Sequence, residues 1–178
     1  LDASLADASG ADDELTFRTV DTNGDGDVSA TLKVDSAVET TTLDFAADDD
    51  DSNDNNATLD VSDVGSATLV AKGGSSDAAD TYAFGTLNST TTTFDASDLS
   101  GVVTGTTSDS DTEVTLSGAA GHTFDGGAGQ DSFVVGTTTA QQDLDGAGES
   151  DSLDITVDDA GSADDFTNVD NFEDYTIT

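Results

Sequence analysis

The chain has no cysteine, proline, methionine or tryptophan, and it sets only three basic residues, Arg18, Lys33 and Lys72, against 39 acidic ones. Without cysteine there is no disulfide staple and no thiol chemistry, a composition that suits a bacterial surface protein better than a small eukaryotic secreted domain. Three scattered cations cannot form the positive patch that nucleic acid or an anionic membrane surface demands, which excludes both as direct partners. No apolar run approaches the ~18 residues of a membrane span. The chain opens on Leu1 with no charged-then-apolar leader, and is read as a segment of a longer exported chain. The lack of proline fits a stacked solenoid, where successive turns share one hydrogen-bond ladder and cannot spare an N–H.

What is present is acid. A formal net charge of -36 on 178 residues makes the compact state repel itself. Divalent cations would neutralise it two charges at a time, with dissolved salt screening the rest, so a saline or calcium-rich exterior is expected. Against disorder stands the patterning of the 34% hydrophobic residues, enough for one core or two small ones.

That patterning is of period two. Leu15 to Val20, Val28 to Val34, Thr42 to Phe45 and Ala67 to Val70 alternate apolar and polar residues and are rich in β-branched side chains. Asp, Asn, Gly and Ser clusters between them supply turns. Helical spacing is confined to Leu1 to Ala11. The chain is therefore expected to be all-β, divided into a β-rich calcium-loop region over 1–93 and a solenoid segment over 94–178.

The second half carries the stronger signal. Gly126-Gly127-Ala128-Gly129-Gln130-Asp131-Ser132-Phe133-Val134 fits the nonapeptide pattern G-G-x-G-x-D-x-U-x, in which glycines let the backbone turn tightly, an aspartate supplies a carboxylate and an apolar residue points inward. Phe124 and Phe133 are nine residues apart, as are Leu144 and Leu153, with an eleven-residue step between the pairs. Nine residues is taken as one rung of a parallel β-roll, and Val135 to Asp143 as a rung that has lost the motif. Asp151-Ser152-Leu153 echoes Asp131-Ser132-Phe133, with Gly146 and Gly148 upstream, Gly148 falling one position differently relative to the aspartate.

Other oxygen-rich stretches compete for attention. Asp21-Thr22-Asn23-Gly24-Asp25-Gly26-Asp27-Val28 follows an EF-hand-type loop, with oxygen donors Asp21, Asn23 and Asp25 at positions 1, 3 and 5, Gly26 at 6, Asp27 at 7 and an apolar residue at 8. Leu32 stands at position 12 in place of the bidentate glutamate, so a calcium loop joining two strands is expected, with its last ligand from elsewhere. Asp48 to Asn56 contains no apolar residue and reads as a solvated loop or a loose cation cluster between subunits. Asn56-Ala57-Thr58 and Asn88-Ser89-Thr90 match the glycosylation pattern, which is short and frequent in a Thr-rich chain. His122 is the sole histidine, so neither a zinc site nor a Ser-His-Asp triad has a partner signature, and His122 is read as a rung residue beside Thr123. No carboxylate pair is singled out among 39 acids, and no enzymatic activity is expected.

From about Phe94 the chain resembles the RTX-type repeats of calcium-dependent surface-layer and other type I secreted surface proteins of Gram-negative bacteria. The residues that carry the resemblance are Phe94 to Gly101, Glu113 to Leu116, Phe124 to Phe133 and Asn168 to Glu173. It implies a parallel β-roll in the C-terminal half, with residues 1–93 either a β-sandwich or further solenoid. It implies Ca²⁺ held by Asp125, the carbonyls of Gly127 and Gly129, and Asp131, with Asp145, Gly148 and Asp151 as a second site. It also implies folding outside the cell on meeting calcium. The expected function is that of an extracellular structural protein on the bacterial surface, assembling with copies of itself in a lattice or filament and touching cell-surface polysaccharide. The rivals are a spacer or adhesive module of a large exoprotein, the secretion-associated part of a hydrolase, and a halophile's solvation device.

Overall fold

The computed structural model describes residues 2–3, 13–19, 28–45, 56–74, 80–118, 121–138, 140–157 and 168–178. Among these residues sixteen strands alternate between two eight-stranded parallel sheets, odd strands in one and even strands in the other, so each pair of consecutive strands makes one rung of a β-roll. The first four rungs are β1 (Asp2–Ala3) with β2 (Glu14–Thr19), β3 (Val28–Val34) with β4 (Thr40–Phe45), β5 (Ala57–Val64) with β6 (Thr68–Gly73), and β7 (Thr81–Thr86) with β8 (Thr93–Ala96). The remaining four are β9 (Val102–Thr106) with β10 (Glu113–Leu116), β11 (Thr123–Asp125) with β12 (Ser132–Thr138), β13 (Asp143–Asp145) with β14 (Ser152–Val157), and β15 (Asn168–Asp170) with β16 (Asp174–Ile177). No helix occurs among the described residues, and Asp2–Ala3, inside the stretch of helical spacing, pairs with β3 as a strand. Thr- and Val-rich sequence favours that outcome, because β-branched side chains suit a pleated surface.

The roll is continuous. β8 begins at the 93/94 boundary anticipated between two regions, and it is hydrogen-bonded to β6 on one side and β10 on the other. The N-terminal half is thus further solenoid, not a sandwich.

The nine-residue spacing proves to be half a rung. Phe124 on β11 and Phe133 on β12 point at each other from opposite sheets, with ring centroids 6.0 Å apart, while the residues stacked directly are twenty apart: Phe124 over Leu144 and Phe133 over Leu153. Nine residues carry the chain across one corner and eleven carry it back across the other. Val135 to Asp143 is accordingly no degenerate rung but the far part of β12, the return corner and the start of β13.

Alternation makes the core. On each strand one face turns inward, and in the even sheet the column Leu15, Thr41, Leu69, Phe94, Val114, Phe133, Leu153 and Tyr175 lies in register through all eight rungs. Thr41, the polar member, is fully buried and satisfied by Ser66, the two hydroxyl oxygens being 2.7 Å apart. Between the sheets runs an aromatic relay from Tyr82 and Phe45 through Phe84, Phe94, Phe124, Phe133 and Phe172 to Tyr175, with centroids 4.8–6.2 Å apart and mostly edge-to-face. Such pairs add about 0.5–1.5 kcal/mol each beyond area burial. Phe124→Ala removes two of these contacts from a site with no exposure and should cost about 3–5 kcal/mol, read as a lower urea midpoint at unchanged slope.

Candidate metal centre at the stacked corner

The corners that lead from the odd to the even sheet lie above one another, and in most rungs the residue just before the even strand is polar. Asp13, Glu39, Thr92, Thr112, Asp131, Asp151 and Glu173 occupy this position. Four of these carboxylates accept the backbone N–H of the equivalent residue one rung earlier. Asp13 donates to Glu39 (2.8 Å), Thr112 to Asp131 (2.9 Å), Asp131 to Asp151 (2.7 Å) and Asp151 to Glu173 (2.8 Å). The strand ladder cannot reach these corner amides, and the acid side chain extends the ladder around the bend.

In the intact nonapeptide this network is complete. Asp131, 2% exposed, takes the Thr112 N–H on Oδ1, and on Oδ2 the Thr107 hydroxyl (2.9 Å) and the Gly127 N–H (3.2 Å). The glycines serve close stacking: a Cβ on Gly127 would sit 1.8 Å from the Ser108 carbonyl oxygen, and one on Gly129 2.5 Å from the Ser110 backbone. Burial pushes the Asp131 carboxyl above its ordinary range, partly offset by the Thr107, Thr112 and Gly127 hydrogen bonds, while Asp151 adds to the rise.

The second copy differs. Where the first has Gly127 and Gly129, the chain places Ala147 and Glu149, both in the left-handed region at φ 67° and 79°. Non-glycine residues there cost on the order of 1–3 kcal/mol each. Gly148, expected as a ligand-bearing position, has open space where a Cβ would stand. Asp151 is 1% exposed, and its Oδ2 is buried with no hydrogen-bond partner. Burial raises its carboxyl above the usual range, the Asp131 N–H opposes this, and Glu173, Glu149 and Asp145 raise it further. Asp145 itself accepts Ala147 N–H (2.9 Å) and Asn171 Nδ2–H (2.7 Å).

Outside this corner the acids form columns. Asp125, Asp145 and Asp170 are in register on the odd sheet, with Asp143 beside them. Burial first, then Asp145 and Asp143, lift the Asp125 carboxyl. All three cations lie in the first three rungs, where Arg18 and Lys72 flank Asp44 in register and Lys33 stands beside Asp63. The 106 residues after Lys72 hold 21 acids and no Lys or Arg.

The residues present fit a hard cation best at the second loop, where an unpartnered buried carboxylate oxygen of Asp151 is surrounded by further acids and no base. Among the described residues no three Asp, Glu or His side chains are grouped as a ready-made ligand set, so a cation here would draw on backbone oxygens as well, as calcium commonly does. Asp21, Asn23, Asp25 and Asp27 lie outside the described residues, as does Asp48 to Asn55. Thr107, Thr112, Glu149 and Glu173 were not singled out from the sequence; their shared place before or within an odd-to-even corner becomes legible only once the twenty-residue rung is known.

No protein family, curated protein or solved structure matches the chain.

His122 occupies the opposite corner, fully buried. Its Nδ1 accepts the Val103 N–H (3.0 Å), Nε2 is 3.3 Å from the Ser117 hydroxyl, and its own N–H donates to Gln142 Oε1 (3.2 Å). Burial pulls its pKa down to about 4.

Two predictions follow from these geometries. Gly127→Ala should destabilise the chain by at least about 2 kcal/mol, whereas Gly148→Ala should change the urea midpoint little, since only the first meets backbone. For His122 the unfolded ring takes a proton near 6.5 and the folded ring only near 4, so its contribution is constant above pH ~6.5 and is lost as pH falls toward ~4, by about 3 kcal/mol in all. The raised Asp125, Asp131 and Asp151 carboxyls act with the opposite sign, favouring the folded state as they protonate. His122→Gln should therefore show a shallower loss of stability across pH 6.5 to 4 than the parent, measured by denaturant titration at each pH.

Proposed function

We propose that this chain is a calcium-stabilised structural solenoid of the bacterial exterior, a subunit of a coat or filament. Its parallel ladder sets acid over acid, and Ca²⁺ relieves the repulsion and completes the Asp151 corner. The observation that carries the reading is the buried, unpartnered Asp151 Oδ2 in an acidic corner of a half-chain without a Lys or Arg. Bound there, Ca²⁺ would supply charge compensation. The chain's own residues do the rest: Asp151 keeps one buried oxygen, Oδ2, without a partner while its Oδ1 holds the Asp131 N–H, and Glu149 and Glu173 flank it. The resemblance to RTX-type surface proteins points to the same exterior setting, where free calcium is abundant.

The spacer or adhesin reading is favoured by one feature, the unbroken run of both sheets through all eight rungs, which makes a rod able to hold two ends apart. Assembly distinguishes the two.

The test is a Ca²⁺ titration of chelator-stripped protein followed by far-UV circular dichroism and urea denaturation, with Mg²⁺ and NaCl controls. A site held at 100 times its Kd adds ~2.7 kcal/mol. Asp151→Asn keeps the Oδ1 acceptor and removes the charge, so the variant should equal or exceed the parent in stability without Ca²⁺ and gain less than the parent with it. Equal stabilisation by NaCl would make the acids a salt adaptation and overturn the calcium reading.

A further inference from the structure

We propose that at the intact nonapeptide the Thr107 hydroxyl holds the place of a cation on Asp131, and that the hard cation binds one rung further on, at Asp151. The inference deepens the calcium reading and rests on it, but it departs from the ligand set that the resemblance implies for Asp131.

The register of the odd sheet fixes which corner residues correspond. Thr106, Asp125, Asp145 and Asp170 stack in one column, so the first residue of each corner is Thr107, Gly126, Gly146 and Asn171 in successive rungs. The amides of Thr107, Gly126 and Gly146 continue the same ladder, donating to the carbonyls of Asp125, Asp145 and Asp170 at 2.9, 2.6 and 3.0 Å. Asp131 therefore takes its hydroxyl from the rung before: Thr107 Oγ1 donates to Oδ2 at 2.9 Å and itself accepts the Gly127 N–H. For Asp151 the residue in that place is Gly126, which has no hydroxyl. A Cβ on Gly126 would sit 2.3 Å from the Gly146 carbonyl oxygen, so no hydroxyl-bearing side chain fits there.

A second donor is lost in the same step. The Gly127 N–H reaches Asp131 Oδ2 at 3.2 Å, whereas its counterpart, the Ala147 N–H, turns to Asp145 Oδ1 at 2.9 Å. Both aspartates keep the ladder bond on Oδ1, from Thr112 in one case and Asp131 in the other. Only Oδ2 differs, and at Asp151 it is buried with no partner. Donor protons and a cation compete for the same lone pairs, so a carboxylate that already holds three donors has little left for an ion. A buried carboxylate oxygen without a donor has the most to gain from one.

The packing of the two loops agrees. Gly127 and Gly129 lie so close to the Ser108 and Ser110 backbone that a Cβ would stand 1.8 and 2.5 Å from it, and the first loop is shut against the rung before. The second loop bends differently. Ala147 and Glu149 enter the left-handed region, which Gly127 and Gly129 do not, and nothing lies within 4 Å of a Cβ on Gly148. That path carries Glu149, an acid where the first loop has Gly129, into the neighbourhood of Asp151.

The experiment counts ions. Equilibrium dialysis against Ca²⁺ in a constant NaCl background is run on the parent and on Asp151→Asn, Asp131→Asn and Thr107→Val, with circular dichroism confirming the fold of each. Asp151→Asn should bind one ion fewer per chain than the parent. Asp131→Asn should bind the parent's number with Kd changed by less than about twofold, while its urea midpoint without Ca²⁺ falls because the bond between rungs is weakened. Thr107→Val keeps the shape and removes the hydroxyl, so it should bind one ion more than the parent, lose stability without Ca²⁺ and recover it with Ca²⁺. If Thr107→Val does not fold, the two aspartate variants decide alone. Loss of an ion from Asp131→Asn, or no gain by a folded Thr107→Val, overturns the inference and leaves the calcium reading standing. An unchanged count in Asp151→Asn, or a parent that binds no Ca²⁺ above the NaCl background, overturns that reading and the inference with it.

Discussion

Everything in this molecule depends on one constraint, the parallel in-register stacking of rungs about 4.8 Å apart. Each side chain meets its counterpart in the turns before and after. Inside, that repetition is favourable: apolar residues form columns, and aromatic rings from both sheets interleave into a relay seven rungs long. Outside, the same repetition sets Asp125, Asp145 and Asp170 in one line, so the geometry that builds the core concentrates like charge on the surface.

The odd-to-even corner is where these tendencies meet. A carboxylate before the even strand catches an amide that the ladder leaves behind, and at Asp131 the surrounding donors satisfy both oxygens. At Asp151 the same device is incomplete. One oxygen holds the ladder, while the other is buried without a partner among Asp145, Glu149 and Glu173. The carboxylate of the intact nonapeptide thus locks rung to rung, whereas the degenerate copy, whose backbone is in the left-handed region at Ala147 and Glu149, leaves one buried oxygen of Asp151 without a partner, as Asp13 also does in the first rung.

Charge is also distributed along the axis. The early rungs pair their few cations with aspartates in register, although the Arg18 to Asp44 contact, at 4.0 Å and largely exposed, contributes little by itself. The later rungs have no such recourse, which is why the calcium reading concentrates there. The buried, neutral His122 at the opposite corner shows the complementary solution: a titratable ring held uncharged by burial and satisfied by Val103 and Ser117.

Sequence alone determined the all-β class, the strands at Val28–Val34 and around Thr40–Phe45, and the glycine-aspartate corner, because period-two alternation and turn chemistry are local properties. It also determined that the chain is strongly anionic, since 39 acids against three Lys and Arg is a matter of counting. Rung length was not legible. From β8 to β14 the turns repeat every 19–20 residues, but in the last rung Asp143 stacks on Asn168 and Ser152 on Asp174, intervals of 25 and 22, and in the N-terminal rungs Val28 stacks on Ala57 and Thr40 on Thr68, intervals of 29 and 28. Only the tertiary structure decided that Phe124 and Phe133 face each other instead of stacking, that the solenoid runs through both halves, and that Asp151 is left with an unpartnered oxygen while Asp131 is not. The physical reason is that each of these turns on which residue lies one rung away, and corner length, which sets that distance, varies freely as long as the strands return to register.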